Sequence, residues 1–358
     1  MNIPLRLFNQ RGVALIMVLF VVALVAVVAL SLTKALQPSV VRTANMQLGE
    51  QAYWYAVSAE EVVRELLQSE LNDNDMVANR SQLWAASSEN SQPLPVPGGL
   101  IEGTIHDLRA CFNLNSLRVP ETDAGNNPTE GLLVRRKAQL RMLLLAADDR
   151  IDPYAADTVV DSLADWLDPD ERISGTYGAE DADYESQQFP HQAANTYLSE
   201  VSELRLVRGV TPLIYRALEP YVCAWPHDAN MAINVNTLAE GAAPLLHAVS
   251  LGSLSLDDAK RFLENRDMNG FESEEQMRTD RILTQAAAKP IQANFGGGAR
   301  PTSAALAGLG GALDDLTVKS EYFELRAEIT VGDLRIRGRS VVEITPEQTR
   351  VLYRSLGD

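Results

Sequence analysis

Between Val13 and Leu32 the chain runs for 20 residues without a charged side chain, and Ser31 is the one polar member of the run. A helix rises about 1.5 Å per residue, so this segment can cross a hydrocarbon core of roughly 30 Å. A helix apolar on every side is not stable against water and must sit in lipid or in protein. Arg6 and Arg11 precede the run, and no acid occurs before Glu50. The positive-inside rule then keeps the N-terminus cytoplasmic and sends the bulk of the chain across the membrane. The run is longer than the apolar core of an ordinary secretory signal, and helical signal continues beyond it. An uncleaved signal anchor is one reading of such a segment.

The rest of the sequence reads as globular. At 358 residues, with 46% hydrophobic and 22% charged side chains, it is too apolar for a disordered chain and long enough for about two domains. Its 48 acids against 31 basic residues give a net charge of −17. Such a surface repels a phosphate backbone, so nucleic acid is not the expected partner. The stretch from Ile233 to Phe271 has the faint outline of a helix-hairpin-helix module, but Glu240, Asp257, Asp258 and Glu264 oppose DNA there. The nucleophile-elbow, phosphate-loop and zinc-helix motifs of common enzymes do not occur. Paired carboxylates could serve a glycosidase, but with 6% aromatic residues no sugar-stacking platform is legible. No enzyme is expected.

Beyond the membrane, Leu48, Ala52, Tyr55, Ala59, Val62 and Leu66 recur at spacings of 4 and 3, which predicts one face of a helix continuing to about Leu71. The same spacing would suit a coiled-coil stalk. Pro38 is expected to kink this helix. Ser87 to Gly99 reads as a connection. Gly99 to Leu108 alternates as a half-buried strand, and Phe323 to Ile329 turns through Gly332-Asp333 into Leu334 to Ile344 as a hairpin, with a last strand near Arg350 to Arg354. Between these strands the signal is helical: Glu130–Ala147, Ala155–Trp166, Val201–Val207, Pro212–Tyr221, Thr237–Val249, Ser255–Glu264 and Ser273–Ala288. Gly296 to Gly311 reads as a mobile Gly/Ala-rich loop. The expected class is α+β: a long N-terminal helix on a small antiparallel sheet, interrupted by a large helical insertion.

Phe112-Asn113-Leu114-Asn115-Ser116-Leu117 is echoed by Ile233-Asn234-Val235-Asn236-Thr237-Leu238. Asn115 or Ser116, and Asn236 or Thr237, are expected to cap following helices. Eight acids lie within the 21 residues from Asp165 to Glu185. If they converge, solvent, raised pKa values or a cation must relieve their repulsion. Oxygen-only ligands among Pro and Gly turns suit calcium rather than zinc, although the spacing is not an EF-hand loop. A solvated charged surface is the other reading. Cys111 and Cys223, the two cysteines, could be bridged across an oxidising compartment or be two buried thiols. His106, His191, His227 and His247 have no ligand spacing.

Gln10-Arg11-Gly12 abutting Val13-Ala14-Leu15-Ile16-Met17 resembles the class III signal of type IV pilins and type II secretion pseudopilins. The resemblance implies that prepilin peptidase cuts between Gly12 and Val13 and methylates the new terminus. Loss of Arg6 and Arg11 would leave 29 basic residues against 48 acids, a balance of −19. The family's glutamate at the fifth mature position is Met17 here, and a carboxylate in lipid is tolerated only when paired. Its absence suits a subunit with nothing ahead of it in a filament. Asp165-Trp166-Leu167-Asp168-Pro169-Asp170, then Gly178-Ala179-Glu180-Asp181 with Tyr184, and Ser202 to Val207 with Gly209, resemble the signature of the K-type minor pseudopilins of type II secretion.

That resemblance implies a pilin-like fold and a tip subunit assembling with I-type and J-type minor pseudopilins on the inner-membrane secretion platform. It implies structural calcium in the insertion, with Asp168, Asp170, Glu180, Asp181 and Asp183 as ligand candidates. The expected organisation is a leader at 1–12, a membrane helix at 13–32 and a periplasmic spine at 33–71. A sheet region follows at 72–118 and 316–358, around an insertion at 119–315 whose two parts are about 119–230 and 231–315. A type IV minor pilin and a membrane-anchored periplasmic binding module are the alternative functions.

Overall fold

The computed structural model describes residues 11–89, 93–118, 128–291 and 310–357; the leader before Arg11 and most of the Gly/Ala-rich stretch lie outside these. Helix α1 (Arg11–Asp73) is continuous over 63 residues and passes through Pro38. Its apolar first part is bare on all sides, with Phe20 69% exposed. Among the described residues it is the one helix long and apolar enough to cross a membrane.

The second half of α1 lies on a sheet, and five of the six residues read by periodicity, Leu48, Ala52, Tyr55, Ala59 and Leu66, pack there. Ala52, Leu67 and Leu71 are fully buried, with Ala56, Ala59 and Val63 packed beside them. Val62 is 65% exposed. Val62 is the exception: beyond Ala59 the apolar positions packed on the sheet are Val63, Leu66, Leu67 and Leu71. A short helix α2 (Leu83–Glu89) runs into the stretch read as a connection from Ser87, and a strand β1 (Leu94–Val96) lies within it. Trp84 seals this end of the core edge-to-face on Phe323, with ring centroids 5.2 Å apart.

Strand β2 (Gly99–Asp107) pairs antiparallel with a strand more than 200 residues later in the chain, Ile105 opposite Leu325. The elements between form the insertion. They are β3 (Phe112–Asn113), α3 (Pro128–Ala147), α4 (Pro153–Leu167), α5 (Asp181–Glu185), α6 (Pro212–Leu218), β4 (Val222–Cys223), β5 (Ile233–Asn234), α7 (Ala243–Val249), α8 (Leu256–Asn265), α9 (Glu274–Thr279), α10 (Arg281–Ala287) and β6 (Leu316–Thr317). The chain then returns as β7 (Tyr322–Val331), β8 (Leu334–Ile344) and β9 (Thr349–Leu356), giving an antiparallel sheet of order β1-β2-β7-β8-β9. Gly332 takes φ +55° in the β7–β8 turn, a conformation that costs a glycine little.

Ile105, Leu325, Ile329 and Val342 face α1, while Tyr322 and Val341 face the insertion and pack with Trp225. Cys111 and Cys223 are joined there by a disulfide, with Cα atoms 5.8 Å apart. One large core of Leu140, Leu143, Leu163, Leu167, Leu245 and Leu246 runs through both halves of the insertion. The segment read as one helix over Ser273–Ala288 is two, because the Asp280 carboxylate accepts from the amides of Ile282 and Leu283 and starts α10 afresh. Val201–Leu206 is a 3-10 helix rather than an α-helix.

Asn115 and Asn236 do not cap helices as expected; in the first echo the cap is Asn113, whose side chain accepts from the Asn115 N–H at 3.2 Å and starts a 3-10 turn over Leu114–Leu117. The Asn115 amide instead accepts from the Leu198 N–H at 2.8 Å and donates to the Leu198 carbonyl at 2.9 Å. Asn236 does the same to Phe271, at 2.8 and 2.9 Å. Each side chain thus copies a strand's pairing to a remote backbone. Ser116 is buried, and Thr237 donates to Asp107. In each echo the first asparagine lies in a parallel bridge, β3 with β4 and β5 with β6.

Asp107 ties sheet to insertion. Its buried carboxylate accepts from the Thr237 and Ser320 hydroxyls at 2.5 and 2.6 Å and from the Arg109 N–H at 2.8 Å. Burial pushes this carboxyl up despite those bonds. Asp107→Ala leaves the buried donors unanswered and is expected to cost about 3 kcal/mol. Asp107→Asn should cost less, and urea midpoints of the two variants check the order.

Candidate functional site

The end of α4 and the loop after it bring acids together. Asp165 lies in the last turn of α4 and Asp168 is its C-terminal cap residue, three positions on and hence on the same helix face. The loop folds back over them through two glycines. Gly175 has φ +92°, and a Cβ there would lie 2.6 Å from the Asp161 carboxylate. A Cβ on Gly178 would lie 1.9 Å from Asp165 Oδ2, so only glycine lets the backbone pass this close. Asp161 is held by Lys137 at 3.1 Å and accepts from the amides of Thr176 and Tyr177 at 3.2 Å each. Ser174 donates from its amide to Asp165 Oδ1 at 2.9 Å and from its hydroxyl to the same oxygen. That return places Glu180, just before α5, against the end of α4.

Asp165, Asp168 and Glu180 each put a carboxylate oxygen within 4.8 Å of the other two. Asp165 and Glu180 are buried and Asp168 is half-buried. Among the described residues, Asp165 Oδ2, Asp168 Oδ1 and both Glu180 carboxylate oxygens have no hydrogen-bond donor. Burial, then the charges of Asp165 and Asp170, push the Asp168 carboxyl up to about 7. Burial followed by the charges of Asp165, Asp168, Asp170 and Asp181 does the same to Glu180, also to about 7. Burial raises Asp165 too, against the Ser174 bonds. Convergent oxygens without donors have the chemistry to hold a cation, and an all-oxygen set suits a hard ion.

Of the five acids singled out in the sequence, the fold brings Asp168 and Glu180 into this cluster. Asp170 stands beside it, accepting from the Arg172 amide at 2.8 Å. Asp181 accepts from the Ala193 amide at 2.8 Å, and Asp183 pairs with Arg208 at 3.0 Å. Those two serve the chain rather than the cluster. Asp165 is the member that sequence reading missed, and its signal was the three-residue spacing to Asp168 at a helix end. Close by, Arg118 donates to the Leu167 carbonyl and to the Asn195 carbonyl at 3.1 Å, and its guanidinium lies over the Tyr197 ring. At the other end of the molecule, Val13 and Met17 lie on α1, 57% and 65% exposed.

Comparison with known proteins places this geometry. Models of type II secretion system protein K match residues 110–227 and 233–295. The type II secretion system protein K of Aeromonas hydrophila is 36% identical over 349 residues, covering 97% of each chain. The chain belongs to the type II secretion system protein K family. A protein K of Pseudomonas aeruginosa is 30% identical over 98% of this chain and 93% of its own. The crystal structure of the GspK–GspI–GspJ complex from the enterotoxigenic Escherichia coli type 2 secretion system superposes with a TM-score of 0.68 at 30% identity, covering 88% of this chain and 99% of that one. The acid cluster lies within the first matched segment of this protein K, and the second segment opens on the second asparagine echo. The relatives are named as components of a secretion system.

Proposed function

We propose that this protein K is a single-pass inner-membrane minor pseudopilin, with its N-terminus cytoplasmic and its head periplasmic, that joins I-type and J-type minor pseudopilins at the tip of the pseudopilus. The observation that carries this is the likeness to a chain of the GspK–GspI–GspJ complex over 88% of this chain and 99% of that one. Assembly, not turnover, is the mechanism. The bare apolar segment of α1 holds the subunit in lipid and then packs in the filament. The insertion makes the head too broad for an internal position. Met17 leaves no carboxylate that would need a subunit ahead. Pull-down of the tagged full chain with its cognate I-type and J-type proteins should give a three-way complex; the full chain recovered alone would overturn the reading.

Cleavage by prepilin peptidase between Gly12 and Val13 is part of the same reading. With the peptidase co-expressed, intact-mass analysis of the extracted protein should find a methylated Val13 terminus, and Gly12→Val should retain residues 1–12. A shortened Gly12→Val product would count against this route.

We propose calcium as the structural cation of the acid cluster. Asp165, Asp168 and Glu180 would hold it, with the charge of Asp170 also acting on both Asp168 and Glu180. Calcium bound there would neutralise carboxylates that now repel one another and fix the loop between α4 and α5.

A further inference from the structure

The three carboxylates of the acid cluster do not complete a cation's shell. Calcium takes about six to eight oxygens, and the carboxylates already outweigh its two charges, so the next ligand from the protein is best a neutral oxygen. Among the described residues one side-chain amide oxygen is buried without a donor, Oδ1 of Asn195. Asn195 also has φ +47°, in the left-handed region that glycine occupies with less strain. The turn by itself would be served as well by glycine; asparagine adds an oxygen that no donor in the protein uses.

Two separate tethers bring Asn195 to the cluster. On one side the Ala193 N–H donates at 2.8 Å to the carboxylate of Asp181, the residue after Glu180. On the other, a single nitrogen of Arg118 donates to the Asn195 carbonyl at 3.1 Å and to the carbonyl of Leu167, the residue before Asp168. Two acceptors on one nitrogen lie within about 6 Å of each other. The segment 193–195 therefore crosses from the Glu180 side of the cluster to the Asp168 side, fastened at both ends to neighbours of the carboxylates. The Tyr197 ring lies under the Arg118 guanidinium, 4.9 Å from its centroid, and fixes the direction in which that side chain reaches.

We propose, resting on the calcium reading above, that Asn195 supplies the cation's neutral side-chain ligand and that Arg118 is its positioning residue. Arg118 offers no ligand atom. Its guanidinium joins the last turn of α4 to residue 195, so that the carboxylates of Asp165 and Asp168 and the amide oxygen of Asn195 converge. Glu180 is brought to the same place through the bond from Ala193 to Asp181.

Calcium chloride is titrated into the chelated full chain by calorimetry, and each variant is also melted in chelator. Asn195→Gly should weaken calcium at least about tenfold. Because glycine suits the backbone there, its melting temperature in chelator should stay within about 3 °C of the parent's. Asn195→Asp returns an oxygen and should recover most of the lost affinity. Arg118→Gln should also weaken calcium about tenfold, and adding it to Asn195→Gly should cost little more, because both changes remove the same ligand. A parent that binds no calcium overturns the calcium reading and this inference with it. A parent that binds while Asn195→Gly binds equally well overturns this inference alone. A loss in Asn195→Gly that Asn195→Asp does not recover, with a lowered melting temperature in chelator, gives Asn195 a purely structural role and overturns it too.

Discussion

Asp315→Ala unfolds about 10 °C below the parent chain. Its carboxylate receives Arg135 at 2.6 Å, Arg136 at 2.8 Å and the Gln139 amide at 2.7 Å. Both guanidinium groups and the carboxylate are more than nine-tenths buried. Gln139 also donates to the Val249 carbonyl at 2.8 Å, so the cluster fastens α3 to the end of α7 and to the segment leading into β6. Removing the shared carboxylate leaves two like charges adjacent in an apolar core, a change worth about 3–5 kcal/mol. At roughly 2–4 °C per kcal/mol for a domain of this size, the fall is about 10 °C. Burial pushes the Asp315 carboxyl up, but Arg136 and Arg135 outweigh it and hold it below its ordinary value. The stabilisation is therefore complete above the ordinary carboxylate pKa near 4 and is lost as the pH falls through the lowered one. Thermal melts of the variant and its parent should differ most at neutral pH and converge in strong acid. A parent-like melt for Asp315→Ala at pH 7 would contradict the buried network.

Calcium produces the second large effect. With millimolar calcium restored to the chelated full-length protein at pH 7.5, the melting temperature rises by about 5–10 °C. That range follows from the roughly 2.7 kcal/mol a ligand contributes at a hundredfold excess over Kd. Magnesium gives far less, because it demands a tight octahedral shell and sheds water reluctantly. The pH dependence has a definite sign. Without the ion, Asp168 and Glu180 keep protons up to about pH 7 that the unfolded chain releases near pH 4. Their contribution to stability is thus present below about pH 4 and lost as the pH rises toward 7. Calcium displaces those protons, so its stabilising increment grows from pH 5.5 to pH 7.5. Replacing Asp165 and Asp168 by Asn and Glu180 by Gln abolishes the calcium response, yet should melt above the chelated parent because the repulsion is gone. A calcium response that survives all three substitutions, or none in the parent, sinks the site.

The legible parts of this fold were those written in local periodicity. Alternation over Gly99–Asp107 and Tyr322–Ile344 gave strands within a residue or two of those observed, and the uncharged run gave the apolar first part of α1. What depended on remote partners was hidden. Leu83–Glu89 forms a helix although Ser, Pro and Gly are near, because Trp84 has a pocket against Phe323 to fill. The asparagine echo was visible, but its use as an imitation of strand pairing to Leu198 and Phe271 could not be read without knowing what lies 83 and 35 residues away. In the acid run, charge alone could not separate Asp181 and Asp183, which serve the backbone and Arg208, from Asp168 and Glu180. The close approach of Gly178 to Asp165 distinguished them.

The central pairing of the sheet, β2 with β7, joins segments on opposite sides of the insertion. A chain made from its N-terminus completes β2 long before β7 exists. Closing a flexible loop of that length by chance would cost about 5 kcal/mol in chain entropy. The insertion removes that search. Its entrance and exit are bound to each other where Asp107 accepts from Ser320 and where Asn234 donates to Ser320 at 2.8 Å. Once the insertion has folded, β2 and β7 emerge from it side by side, and the late hairpin needs only to zip onto a waiting edge.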